Sequence, residues 1–234
     1  MLSPSFWKKY FEVYDYLNEL IPYQELLDTI CTEARIKNDD RVLDVGSGTG
    51  NLSVRLERVG AIVVGIDYSA EGLELHHQKS PASELILVDV SKPLPFPDSS
   101  FDVVVSNNVL YAISRNKRAG VFREMYRVLK PCGRIVVSNI IEGFSPSSIY
   151  LGHISAYWRT HGIIKTLVKV FGLIIPTIKI FYYNARIRLE HHHGAYDFFQ
   201  AGEQAQALVD AEFKNVSGDI FAYNKQAILN SAIK

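Results

Sequence analysis

RVLDVGSGTGNLS, residues 41–53, is an apolar run that closes around Asp44 and passes directly into Gly46, Gly48 and Gly50. Glycines let the backbone turn tightly, and they let a ligand approach main-chain N–H groups and the start of a following helix. The segment therefore predicts a strand, a polar-ligand turn and a helix. Downstream, four more β-branched runs alternate with helical stretches: AIVVGID (61–67), ELILVD (84–89), FDVVVSN (101–107) and GRIVVSNI (133–140). Five such runs argue for a parallel sheet covered by helices on both faces.

The flanks fill in the rest. Helical spacing from Phe6 to Ala34 predicts two N-terminal helices, with Pro22 ending one and opening the next. SKPLPFPDSS (91–100) holds three prolines and reads as a loop across the end of the sheet. An amphipathic helix is expected over 115–130, stopped by Pro131 and Gly133, and another over 196–213. KNVSGDIFAY and KQAILNSAI then form an antiparallel hairpin around Asn224.

With 234 residues and 47% apolar composition, one domain is the expectation. Within it, 1–36 form a helical cap, 37–141 the ligand-binding core, 142–195 a helical insertion, and 196–234 the last helix and hairpin. Lys plus Arg equal Asp plus Glu at 25 each, so no global field recruits nucleic acid or an anionic membrane, and any such attraction must be local. Cys31 and Cys132 have no CxxC partner, which predicts neither disulfide nor zinc site and fits a reducing, cytoplasmic setting. Charged residues from Lys8 to Asp28 interrupt any apolar stretch of signal-peptide length, so secretion is not expected.

Acids sit at three predicted strand ends. Asp67 stands where a carboxylate accepts both hydroxyls of a ribose, and Asp89 where one accepts from an exocyclic amine. Such carboxylates must be solvated or paired, which argues for a ligand. A dinucleotide fingerprint, GxGxxG, would put its third glycine at Asn51, so an NAD-dependent oxidoreductase is the weaker alternative. A one-nucleotide sulfonium cofactor makes use of both Asp67 and Asp89.

VLDVGSGTG, VVGIDYS, LVDVSKPLPFPDSSFDVVVSNNVLYAI and EMYRVLKPCGRIVVS resemble the successive motifs of class I S-adenosylmethionine-dependent methyltransferases, closest to the ubiquinone/menaquinone C-methyltransferase and sterol methyltransferase branch. The resemblance covers 10–141 and resumes near 196. It implies a Rossmann-like α/β three-layer sandwich with a seven-stranded, mostly parallel sheet and a C-terminal antiparallel hairpin. It also implies S-adenosylmethionine as cofactor and S-adenosylhomocysteine as product. By it, the turn of Asp44, Gly46, Ser47, Gly48, Gly50 and Asn51 holds the methionine portion. Asp67 binds the ribose, and Tyr68 packs on adenine. Asp89 and the Val90 N–H read the adenine edge, and the Asn107 region meets the methionine amine. The sequence departs from the family at Pro131-Cys132-Gly133, where two glycines are usual, and at Glu212, where one is.

Methyl transfer from a sulfonium needs alignment and water exclusion more than a general base, so no catalytic residue is nominated. Tyr14, in a stretch (FEVYDYLNELIPY, 11–23) resembling the family's aromatic lid, and Asn108 and Tyr111 after the fourth strand are the acceptor-pocket candidates. The alternative from another class is a non-catalytic, cofactor-binding partner subunit.

The insertion has its own chemistry. Between 143 and 195, Arg159, Lys165, Lys169, Lys179, Arg186 and Arg188 face Glu190 alone, a net +5 that leaves −5 on the remainder. On a helical wheel the basic side chains form a narrow stripe in a broad apolar surface over 163–182. Val170–Ile178, with Pro176 inside it, is too short to span a membrane. The helix would lie in a membrane interface, roof a pocket or pair in a homodimer; each places apolar surface by the acceptor, so a small lipophilic or polycyclic acceptor, methylated at carbon or at oxygen, is expected. His191, His192 and His193 are consecutive and cannot converge on one metal ion, so a polar loop is expected there.

Overall fold

The structure, a computed structural model, describes residues 4–192 and 196–234. Seven strands make one sheet: β1 (Arg41–Val45), β2 (Ile62–Asp67), β3 (Glu84–Leu87), β4 (Phe101–Asn107), β5 (Leu129–Ile140), β6 (Ile220–Ala222) and β7 (Ala227–Ile233). Their order is β3-β2-β1-β4-β5-β7-β6. The first five run parallel, and β7 is antiparallel to both β5 and β6. The chain reverses its winding direction between β1 and β4, and ligands of doubly wound sheets bind at the carboxyl end of that crevice.

Period-two alternation distributes the strands' side chains to two cores. Val42, Val63, Val103 and Val136 face a core shared with α2 (Ile21–Ala34) and α3 (Asn51–Arg58). Leu43, Val64, Val104 and Val137 face the opposite one, closed by α5 (Arg115–Val128) and α7 (Glu203–Asp210). This is a three-layer sandwich. The cap consists of α1 (Pro4–Tyr14), a 3-10 turn (Asp15–Glu19) and α2, which has Pro22 in its first turn, where a missing N–H costs nothing. The remaining helices are α4 (Ala70–Lys79), between β2 and β3, and α6 (Pro146–His192).

Several boundaries differ from expectation. The 115–130 helix stops at Val128, because Lys130 precedes Pro131 and is steered to extended backbone; Leu129 already pairs with Phe101. The third strand ends at Leu87, so Asp89 lies two residues into the loop. Over 196–213 only Glu203–Asp210 is helical: Tyr196, Phe198 and Phe199 bury their rings, and Phe199 bridges to Ile141. The insertion is one long element with a break at Gly162 (φ +77°), running through Pro176 and on to His192. His191 and His192 thus continue a helix instead of a polar loop, and His193 falls outside the described residues. Cys132 and Glu212, which replace family glycines, keep the left-handed backbone (φ +61° and +71°) those glycines would supply.

Candidate cofactor and acceptor site

The loop after β1 takes positive φ at Gly46, Gly48 and Gly50, a path that L side chains rarely follow. Gly46 and Ser47 donate their N–H groups to the Ile66 carbonyl (2.7 and 2.9 Å), tying the loop to the end of β2. A Cβ on Gly46 would stand 2.2 Å from Val109, and one on Gly50 would stand 2.3 Å from the His76 ring. His76 is fully buried beneath the loop, 3.1 Å from Ser47 Oγ, and burial pushes it down to about 4, so the ring is neutral.

Two acids flank this loop. Asp44, almost wholly buried, accepts from Ser53 Oγ (2.6 Å). Burial pushes its carboxyl up to about 7; the Ser53 hydrogen bond opposes this and the nearby Asp67 adds to it. Asp67 accepts the Gly48 N–H on Oδ2 and the Ser69 N–H on Oδ1, both at 2.9 Å. Each of its oxygens keeps a lone pair for a further donor. Burial raises this carboxyl too, against the lowering effect of those N–H groups. Asp89 is exposed at the rim; what burial it has works upward, but the Ser91 hydrogen bonds and the charges of Lys92 and Lys117 hold it below its usual value.

The loop after β4 completes the crevice. Asn108 sits at φ +58° with its N–H on Ser138 O (2.7 Å). Asn139, buried inside β5, accepts the Leu110 and Tyr111 N–H groups (3.0 and 3.4 Å) and is itself held by Gln204, which reaches on to Asn230. Arg118 donates to the carbonyls of Leu110 and Ile113 (3.0 and 3.1 Å) while its guanidinium stacks 4.1 Å over Phe199. Asn107, Asn108 and Tyr111 are therefore presented by a rigid, hydrogen-bonded base.

A cavity of about 380 Å³ opens here, within the ~300–1,000 Å³ of small-molecule sites. Asp44, Gly46, Ser47, Gly48, Asn51, Asp67, Tyr68, Asp89, Val90 and Asn107 line it, as do Tyr14, Asn108 and Tyr111. Gly50 does not: it caps α3 and serves the loop's path over His76. One half of the cavity is polar and glycine-lined. In the other, Tyr10, Tyr14, Tyr23 and Tyr223 touch ring to ring at 5.4–6.1 Å, with Tyr111 stacked on Phe198. Burial raises every one of these phenols well above the ordinary tyrosine value. Leu173, Pro176 and Ile180 of α6 roof this half.

Sequence reasoning missed the clasp between cap and core. Asp15 Oδ1 accepts from Thr49 Oγ1 (2.8 Å) and from Lys79 Nζ (2.6 Å), and Lys79 also reaches Asn51 Oδ1 (2.7 Å). Phe11 lies over Gly48 and Gly72, close enough that a Cβ on either would touch its ring. Asp15 lies in FEVYDYLNELIPY (11–23), whose resemblance to the family's aromatic lid was the one signal that pointed there; nothing in the sequence marked Lys79, Asn139 or Gln204.

The polar half suits a cationic amino acid joined to a nucleoside. Asn51 Nδ2, Asn107 Oδ1 and Asn108 Oδ1 are buried against it without hydrogen-bond partners, and such groups are normally satisfied in a protein at work. The left-handed glycines leave room that side chains would fill, and the adjacent acids accept from hydroxyl and ammonium donors. Among the described residues no group of histidine, cysteine and acid side chains could hold a metal.

Comparison with known proteins agrees with this geometry. Residues 43–137 match the family model described as a methyltransferase domain. The chain is 34% identical over 143 residues to YqeM of Bacillus subtilis strain 168, itself only provisionally named a methyltransferase, covering 59% of this chain and 56% of that one. It is 29% identical over 174 residues to the ubiquinone/menaquinone biosynthesis C-methyltransferase UbiE of Geotalea daltonii, covering 68% and 69%. The chain thus spans little more than half of YqeM and about two thirds of that UbiE. A solved SAM-dependent methyltransferase from Aquifex aeolicus shares the fold end to end, with a TM-score of 0.61 at 17% identity over 100% of this chain and 99% of that one. The chain is thus similar in sequence to S-adenosylmethionine-dependent methyltransferases of the ubiquinone/menaquinone C-methyltransferase branch, carries a methyltransferase-domain match over residues 43–137, and has the Rossmann-like fold of the solved S-adenosylmethionine-dependent methyltransferase.

Proposed function

We propose that the chain moves a methyl group from S-adenosylmethionine to a small, uncharged, apolar acceptor of quinol-like or phenolic character. One observation carries the acceptor class. The charged side chains lining the cavity are Asp44, Asp67 and Asp89, with Lys117 close to Asp89, all in the polar half; the half beneath α6 has only aromatic, aliphatic and neutral polar side chains. A charged amine or carboxylate there would lose hydration without gaining a partner, at a cost of several kcal/mol, whereas a ring gains faces to stack on.

When bound, the sulfonium cofactor supplies an electrophilic methyl, so the protein's part is placement. Asp67 takes the ribose hydroxyls on its two remaining lone pairs, and Tyr68 covers the adenine. Asp89 and the Val90 N–H read the base edge. The turn from Asp44 to Asn51, including Gly46, Ser47, Gly48 and Gly50, holds the methionine portion with Asn107. Tyr14, Asn108 and Tyr111 position the acceptor. The tyrosines are neutral phenols at physiological pH, so they donate hydrogen bonds to an acceptor oxygen and do not act as bases. Water exclusion by the cap and α6 completes the arrangement.

Carbon is the favoured target, since a relative matching 68% of this chain is named a C-methyltransferase. The free thiols fit a reducing compartment, and we place the enzyme in the cytoplasm. The test has two stages. Calorimetry should detect S-adenosylhomocysteine and not NADH; turnover on demethylated quinols, phenols and polar amines should then be confined to the first two, and activity confined to the amines would defeat the reading.

A further inference from the structure

α6 has two faces, and the cavity accounts for only one. From Gly162 onward Thr166, Leu173, Pro176, Ile180 and Ile187 are buried, spaced at seven, three, four and seven residues along the inward side. The outward side is also apolar: Ile164, Leu167, Val168, Phe171, Ile175 and Ile178 fall on one helical stripe and are exposed, Phe171 by 79%, Ile164 by 74% and Val168 by 71%. A helix that is apolar on both sides is normally covered on both.

The surroundings identify the cover. Exposed Lys165, Lys179 and Arg186 run along one edge of the stripe, while Lys169 is engaged by Glu19 of the cap. The segment 143–195 carries a net +5 and the rest of the chain −5. Tyr182 at the far end of the stripe is exposed, as is Trp158 on the segment before the Gly162 break, and these are the two residue types that settle at a membrane–water boundary. A symmetric pairing of two copies through this face would bring two +5 segments together, which opposes it. Among the described residues no helix is long and apolar enough to cross a membrane, so a bilayer contact of this stripe would be interfacial and not spanning.

We propose that the outward face of α6, from Ile163 to Tyr182, docks the protein on an anionic phospholipid bilayer, with the acidic remainder turned to water. The docking stands apart from the reaction. Its consequence, that a bilayer-dissolved acceptor meets the cavity through the helix that roofs it, rests on the methyl-transfer reading.

The experiment is co-sedimentation of the full chain with vesicles of phosphatidylcholine alone, or mixed one to one with phosphatidylglycerol. The protein is expected to pellet with the mixed vesicles, weakly with the neutral ones, and less as salt is raised. The double variant Lys165→Glu/Lys179→Glu and the triple variant Ile164→Gln/Val168→Gln/Phe171→Gln should each lower the bound fraction about tenfold or more. All five positions are exposed and none lines the cavity, so both variants should fold and bind S-adenosylhomocysteine as before; that calorimetric control separates failure of docking from failure of the cofactor assignment. Absence of pelleting with mixed vesicles overturns the proposal, as does pelleting that neither variant weakens. A dimer in sedimentation velocity that the triple variant dissolves, without vesicle binding, would assign the face to a second copy instead.

Discussion

Asp15, in the turn that closes the N-terminal cap, accepts a 2.6 Å ion pair from Lys79 at the end of α4. The pair bridges the cap to the core beside the glycine loop, because the same Lys79 reaches Asn51 and the same Asp15 oxygen accepts from Thr49. Both side chains are partly exposed, so the pair adds only about 0–1 kcal/mol to folding. Its effect falls on cap opening. Lys79→Met should leave the melting temperature nearly unchanged and raise the S-adenosylhomocysteine dissociation rate roughly threefold or more in stopped-flow displacement.

Asp67 has two duties, and its removal should show both. On the proposed cofactor placement, Asp67→Ala would lose two charge-assisted hydrogen bonds to the ribose and would free the Gly48 N–H, so S-adenosylhomocysteine affinity should fall by at least ~100-fold in calorimetry. An unchanged affinity would mean that the ribose lies elsewhere.

Asp44 predicts a pH dependence. Its carboxyl titrates near 7 in the ligand-free chain, and a cationic methionine ammonium is drawn to the ionised form. Apparent affinity should therefore rise about tenfold per pH unit below 7 and level off above it, a slope absent from Asp44→Asn. The linkage to folding has the opposite sense. The folded value lies above the ordinary 3.8, so the proton taken up on folding stabilises the chain fully below that value. The contribution is lost as pH rises through about 7. Asp44→Asn should gain on the parent by a few kcal/mol between pH 4 and 8, in order of magnitude, as read by denaturant melts.

Gly46→Ala combines a left-handed backbone with a Cβ 2.2 Å from Val109, and about 2–4 kcal/mol of destabilisation is expected in chemical denaturation. Adding Val109→Ala should recover the steric share and leave the backbone share.

Cys132→Gly and Glu212→Gly run the other way. Both positions hold φ above +60° with a side chain present, Cys132 near the start of β5 and Glu212 in the turn after α7, and neither lines the cavity. Each substitution should stabilise by about 0.5–1 kcal/mol in thermal melts without altering cofactor affinity, since glycine's greater unfolded freedom offsets part of the relief.

The β-branched runs carried the sheet, because alternation of Val and Ile between glycines and polar loops is a local pattern that both cores then read out face by face. RVLDVGSGTG placed the ligand turn for the same reason: positive φ is required within a few residues and only glycine supplies it cheaply. Helix ends were less legible. Lys130 looked helical until its neighbour Pro131 is weighed, and Tyr196–Phe199 looked helical until the rings at 196, 198 and 199 found burial against the loop after β4. The insertion's apolar circumference was plain in the sequence, but which side met the cavity was not.

By itself, then, the sequence determined the strand order's raw material, the glycine turn, the acids near three strand ends and the charge imbalance of the insertion, all of which depend on residues within a few positions of one another. Tertiary structure alone decided that Asp15, Asn51 and Lys79 clasp, that Asn139 and Gln204 hold the Tyr111 loop, and that α6 turns Leu173 inward and Phe171 outward. Those contacts join residues 28 to 65 positions apart, or select one face of a helix that is apolar all round, and no local pattern encodes either.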